Sequence, residues 1–136
     1  MSEVQGRVLV AGVAHGPALH FTRPISLWGG VDPETGVVMD PRHPQRGECV
    51  AGKVVVLPGT IGSSSSSAIM LELLRNSCAP AAMVVQQADA ILTLGVVVAR
   101  ELGYPTIPVI EADVRAVLEL GGSALEVTVE GVVRPA

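Results

Sequence analysis

An apolar run at residues 53–57, KVVVL, stops at Pro58-Gly59 and leads through Gly62 into five consecutive serines, Ser63 to Ser67. An apolar segment with helical character follows at once. A strand, a glycine turn and a hydroxyl-rich helix start in direct succession point to an α/β unit with a pocket of donors at its turn. The free N–H groups of a first helical turn face outward, and the aligned peptide dipoles add partial positive charge there. Serine hydroxyls beside such amides can cradle a carboxylate, or set one oxygen against a substrate carbon. The competing reading is a flexible linker or an ordinary serine N-cap. A linker joins two independently folding pieces, whereas hydrophobic sequence abuts both ends of this run within a chain of 136 residues.

Downstream the pattern alternates. Residues 65–76 predict a helix, 81–86 a strand, and 88–102 a helix with Gly95 inside it. Residues 106–110, TIPVI, predict a short strand, 111–120 a short helix beginning near Asp113, and 124–131 a half-exposed strand by strict alternation. Continuous apolar strands between helices imply parallel pairing in an α/β core. Upstream, residues 7–14 and 18–22 read as β-like runs separated by a turn at His15-Gly16-Pro17. This front end implies an added sheet layer, hence a mixed β/β/α domain. Residues 23–52 are rich in Pro, Gly and Asp, and long excursions of this kind are functional or disordered. Trp28, the only tryptophan, implies that this one is packed.

The length suits a single domain over residues 1–136, and a hydrophobic content of 49% supplies its core. Phe21, Trp28 and Tyr104 are the only aromatics, so that core must be aliphatic. A net charge of −4 and the lack of an aromatic stacking platform argue against nucleic acid. Pro and Gly interrupt every long apolar run, which argues against a membrane span, and the N-terminus lacks the pattern of a signal peptide. A cytoplasmic location is the resulting expectation. Cys49 and Cys78 are too few for a disulfide scaffold or a metal site and read as free, partly buried thiols.

Three chemistries can be weighed against the serine run. Triad hydrolysis needs a histidine base, and His15, His20 and His43 all precede the serines. Their spacing suggests no metal site either. A nucleotide-binding loop needs a lysine after its last glycine, but no basic residue occurs between Lys53 and Arg75. A small carboxylate therefore suits this turn better than a triphosphate. A serine oxygen acting as base needs preorganised donors in a dry site, and Ser63, directly after Gly62, is best placed for that role. Nothing in the chain dries the site or supplies an electrophile, which points to a partner. Glu72, Asp89 and Glu101 could be recruited as acids, but surface charge on helices is their ordinary explanation.

Three segments, PISLWGGVDPETGVVMDPRHPQRGE (24–48), GKVVVLPGTIGSSSSSAIMLELL (52–74) and AILTLGVVVARELGYPTIPVI (90–110), together resemble the small subunit of the aconitase X family. The likeness runs over nearly the whole chain, and the WGGVDP-x-TG and P-x-x-x-GS-x-x-x-S segments are its specific parts. It implies the swivelling β/β/α domain of aconitase type, a mixed sheet with flanking helices. It further implies a heterodimer or higher assembly with a large catalytic subunit that holds an iron–sulfur cluster in its own cysteines, with the active site at the junction. Members are dehydratases acting on hydroxy acids, with the cluster as Lewis acid toward the leaving hydroxyl. The family's catalytic serine, its proton acceptor, falls on Ser63. Gly62, Ser64 and Ser65 would shape the substrate pocket, and no metal ligand falls on this chain.

Two activities occur within the family: dehydration of a phosphorylated mevalonate, and dehydration of cis-3-hydroxy-L-proline to 1-pyrroline-2-carboxylate. The phosphomevalonate form tends to carry an arginine in a GRGS pattern, where this chain has Ile61. Phosphate favours charge-assisted arginine contacts, so Ile61 resembles the hydroxyproline branch more closely. Rival readings of other classes are a non-enzymatic interaction domain and a stand-alone serine hydrolase. The loop from Trp28 to Pro33 fits contact with substrate or with the partner.

Overall fold

A computed structural model describes residues 2–61 and 65–136. Its strands are β1 (Val4–Gln5), β2 (Arg7–Val10), β3 (Ala14–His20), β4 (Val54–Leu57), β5 (Ala82–Val85), β6 (Val109–Glu111), β7 (Ala124–Val127) and β8 (Val132–Pro135). The helices are α2 (Ser65–Arg75), α3 (Ala90–Glu101) and α4 (Val114–Glu119), with a short turn, α1, at Leu27–Gly30. The strands form one sheet in the order β1-β8-β7-β3-β4-β5-β6-β2. Strands β3, β4, β5 and β6 run parallel in its centre, and antiparallel strands flank them on both sides. This is the mixed sheet with flanking helices expected of the β/β/α arrangement.

The unbroken apolar composition of β4 follows from burial on both faces. Val55 and Leu57 join a core built with α2, α3 and the long excursion, through Met70, Leu73, Leu92 and Val96. Val54 and Val56 join a second core on the opposite face, with Val84, Ile110, Val117 of α4, and Leu125, Val127 and Val133 of the antiparallel layer. Helices α2 and α3 pack closely at Gly95, where a Cβ would stand 2.7 Å from the Ser67 carbonyl oxygen.

The two ends of the strand order, β1 and β2, are separated in the chain by Gly6 alone. The sheet therefore curls until its edges adjoin, wrapping the second core. The Gly6 N–H donates to Gly131 O at 2.9 Å across this corner.

Several sequence expectations shift. The turn expected at His15-Gly16-Pro17 lies inside β3, which pairs with β7 from Ala14↔Val127 to Pro17↔Ala124. Pro17 is tolerated because parallel pairing with β4 begins only at Ala18, so its missing N–H disturbs one side at most. Gly16 is required by close approach: a Cβ there would fall 2.4 Å from Gly52 O. Strand β6 begins at Val109, not Thr106, because Pro108 cannot donate to a ladder; its carbonyl accepts from Met83 N instead. The helices at 65–76, 88–102 and 111–120 appear as α2, α3 and α4 with trimmed ends, and Asp113 caps α4 by accepting from Ala116 N. The strand expected at 124–131 stops at Val127, and a turn returns the chain as β8, a strand that, like β1, the sequence pattern does not announce.

The excursion over residues 23–52 is packed, through buried Ile25, Leu27, Val31, Val38 and Val50. Bridges Val31↔Val38 and Val37↔Cys49 hold it. Trp28 does not contribute to that packing, being 62% exposed. Its aliphatic neighbours fill the core that an indole was expected to fill.

Candidate active site

Where parallel strands alternate with helices, ligands bind beyond the carboxyl ends of the strands. The chain segments leaving β3, β4 and β5 meet there around a cleft of about 480 Å³, lined by Pro24, Pro58 to Ile61, and Gln87 to Ala90. A larger cleft of about 600 Å³ opens at the opposite end of those strands, beside Val13, His15, Thr106 and Glu126. The first is lined by Ile61, two residues before the serine run in sequence, and is the candidate site.

Each wall is held by a different element. After β3, Ile25 runs alongside Thr60 as a parallel bridge, its N–H donating to Gly59 O at 3.4 Å while Ile61 N donates to Ile25 O at 2.9 Å. After β5, Gln86 N and Gln87 N donate to Leu57 O and Pro58 O. Glu111, at the end of β6, accepts from Ala88 N at 2.7 Å and from Arg7 Nε at 3.0 Å. Those two donors, the Ala88 amide first, hold its carboxyl below the usual carboxylate range. The walls are then tied together: the Thr60 hydroxyl donates to Asp89 Oδ2, while Asp89 Oδ1 accepts from Ile91 N at 2.8 Å and caps α3.

Ser63, Gly62 and Ser64, expected as base and pocket residues, lie outside the described residues. Ile61 and Ser65, which flank them in sequence, are described: Ile61 lines the cleft, 58% exposed, and Ser65 is the first residue of α2. Ser66 buries its hydroxyl without a hydrogen-bond partner, and nothing in the structure explains this. Of the three available acids, Glu72 pairs with Arg75 at 2.7 Å and Glu101 ends α3 on the exposed surface. Asp89 differs from both. The ordinary reading of it as helical surface charge is incomplete, since it lines the cleft and joins its two walls. An aspartate just before an apolar helical run signals an N-cap; no local signal marks Thr60 as its partner.

Among the described residues no three His, Cys, Asp or Glu side chains converge on a metal position. Cys49 Sγ and Cys78 Sγ donate to the carbonyls of Thr35 and Glu34, away from the cleft lining. The described part of this chain therefore does not fit as the holder of an iron–sulfur cluster. Among the same residues, no helix is long and apolar enough to cross a membrane.

A swivel-type β/β/α fold with a cleft at the parallel strand ends defines the class. Residues 3–134 match the family model described as the aconitase X swivel domain, and the chain belongs to that family. It is 38% identical over 128 residues to the phosphomevalonate dehydratase small subunit of Methanothermobacter thermautotrophicus, covering 94% of this chain and 93% of that one. It is 42% identical over 103 residues to the cis-3-hydroxy-L-proline dehydratase of Pseudomonas aeruginosa, covering 76% of this chain but 18% of that one. The corresponding protein of Hypocrea jecorina is 41% identical over 109 residues, again with 18% of its length covered. The chain thus spans about a fifth of the hydroxyproline dehydratases it matches. The crystal structure of Thermococcus kodakaraensis aconitase X in its holo-form superposes with a TM-score of 0.86 at 33% identity, covering 98% of both chains.

Proposed function

We propose that this chain is the swivel component of an aconitase X-type hydro-lyase, a small subunit that works only with a large iron–sulfur polypeptide. Its substrate is cis-3-hydroxy-L-proline, converted to 1-pyrroline-2-carboxylate. The cytoplasmic setting expected from the sequence belongs to the same reading. The observation that carries the substrate choice is the cleft lining: among its described residues there is no lysine or arginine, Ile61 is apolar, and Asp89 is the one ionisable side chain. A phosphate beside a carboxylate and an isoleucine would find no charge-assisted donor among these residues and would meet like charge. A zwitterionic imino acid has no such conflict.

The remainder of the site comes from a partner in this reading. Relatives are named as small subunits, and the matched hydroxyproline dehydratases devote most of their length to other sequence. An exposed apolar row on α3, Leu94, Val97 and Val98, with Leu9 beside it, adjoins the cleft at Ala88–Ala90 and suits that larger body. The cluster implied by the resemblance supplies a Lewis acid when present on the partner. Ser63 accepts the α-proton of the substrate. The ring hydroxyl leaves as hydroxide and takes up one proton to become water, which balances the α-proton given to Ser63, and the enamine then tautomerises to the cyclic imine.

The test is a Ser63→Ala variant assembled with its large partner. Loss of about 10²-fold or more in kcat, with assembly unchanged, is the expected result for removal of a positioned base. Turnover near the parent rate would sink the assignment. Parallel assays with the imino acid and the phosphorylated hydroxy acid decide the substrate.

A further inference from the structure

We infer that Asp89 is the counter-ion for the ring ammonium of the substrate and thereby selects an imino acid over a phosphorylated hydroxy acid. The inference rests on the hydroxyproline reading and deepens it. Capping of α3 uses one carboxylate oxygen, Oδ1, which accepts from Ile91 N at 2.8 Å. Capping does not require the second contact, in which Thr60, 29 residues away in sequence, donates to Oδ2 from the opposite wall of the cleft. Two donors from two walls fix the plane of the carboxylate. An ionised carboxylate offers about four acceptor positions, so capacity for a further donor remains.

No ion pair among the described residues includes Asp89. Among the described residues its carboxylate stands in the cleft without a cation in the lining, beside Pro24, Gly59, Ile61 and Ala90. A cationic ligand group is the chemical complement of such a site. In a 3-hydroxyproline the ring nitrogen is bonded directly to the carbon that loses its proton. Holding that nitrogen therefore orients the C–H bond as well as discriminating by charge. The same carboxylate repels a phosphate group.

The experiment uses the assembled enzyme with Asp89→Asn, which keeps an oxygen for Ile91 N while removing the charge; the Thr60 hydroxyl can accept from the new amide. Two inhibitors of matched shape are compared: L-proline, whose ring carries the ammonium, and tetrahydrofuran-2-carboxylate, whose ring carries oxygen. L-Proline inhibition should weaken about tenfold or more, the scale of one charge-assisted hydrogen bond, while the oxygen analogue binds as before. KM for the hydroxyproline should rise more than kcat falls. Equal weakening of both inhibitors, or no change in either, would overturn the role. Should Asp89→Asn fail to assemble, Asp89→Ser, which retains a capping oxygen, is read by the same pair of inhibitors. A parent enzyme that acts only on the phosphorylated substrate and binds neither ring compound overturns the substrate reading as a whole. A parent active on hydroxyproline with an Asp89→Asn variant of unchanged selectivity overturns this inference alone.

Discussion

His43 sets its ring edge against Phe21, with ring centroids 5.0 Å apart, and is 6% exposed. Its Nδ1 accepts from Gln45 N at 3.1 Å, which leaves Nε2 to carry the proton and donate to Arg23 O at 3.1 Å. Both nitrogens are thus engaged with backbone, and the residue secures the start of the long excursion. His43→Ala should lower unfolding free energy by about 2–4 kcal/mol through two unpaired backbone groups and a lost ring contact, measured by urea denaturation. An assembled enzyme carrying it should keep kcat at temperatures where it stays folded; a fall in kcat without loss of stability would instead mark His43 as chemical. The order of histidines and serines in the sequence argues against an α/β-hydrolase triad. The sequence could not show that His43 is buried, because its contacts with Arg23 and Phe21 cross twenty positions or more, beyond the reach of any local pattern.

Strand β6 governs the cleft without lining it. Glu111 at its end anchors Ala88, and Ala112 N donates to Val85 O, so the segment leaving β5 is held from its neighbouring strand. The carboxyl of Glu111 is held low by the Ala88 amide and then by Arg7. A depressed folded value means that the charged form is favoured by the fold. Its contribution is present in full above the unfolded value of about 4.3 and is lost as pH falls through the lower folded value. The Ala88 amide resonance should therefore titrate with a midpoint below about 4.3 and lose that transition in Glu111→Gln. A midpoint at or above the unfolded value would contradict the anchoring. Elements themselves were largely legible: apolar runs gave β4 and β5, helical periodicity gave α2 and α3, and Asp113 announced α4. Edges were less so. The four residues of β8 and the two of β1 carry too short a pattern to separate from loop, and they become strands only by pairing with each other and with β7.

Closure of the whole molecule depends on Gly6. It joins the two edge strands, and a Cβ there would stand 2.3 Å from Ile110 Cγ2 and 2.9 Å from Glu111 O. Ile110 is fully buried and β-branched, and Glu111 O is backbone, so neither can yield cheaply. Gly6→Ala is expected to cost about 1–3 kcal/mol, the range for overpacking, and to lower Tm in calorimetry. Because Glu111 also holds Ala88, the same substitution should perturb amide resonances at the cleft. Unchanged stability would mean that the sheet edges do not meet closely at Gly6.

Alternation of apolar strands with helices, together with the segments around Trp28 and the serine run, was enough to determine the family and its β/β/α class. Those signals are local: a period of two or of 3.6, a cap, or a turn residue is imposed by hydrogen bonding within a few positions. Tertiary structure alone decided that His15-Gly16-Pro17 continues a strand, that the sheet edges adjoin at Gly6, and that Thr60 grips Asp89 across the cleft. Each depends on which distant backbone or side chain arrives as neighbour, and the packing of the completed sheet determines that.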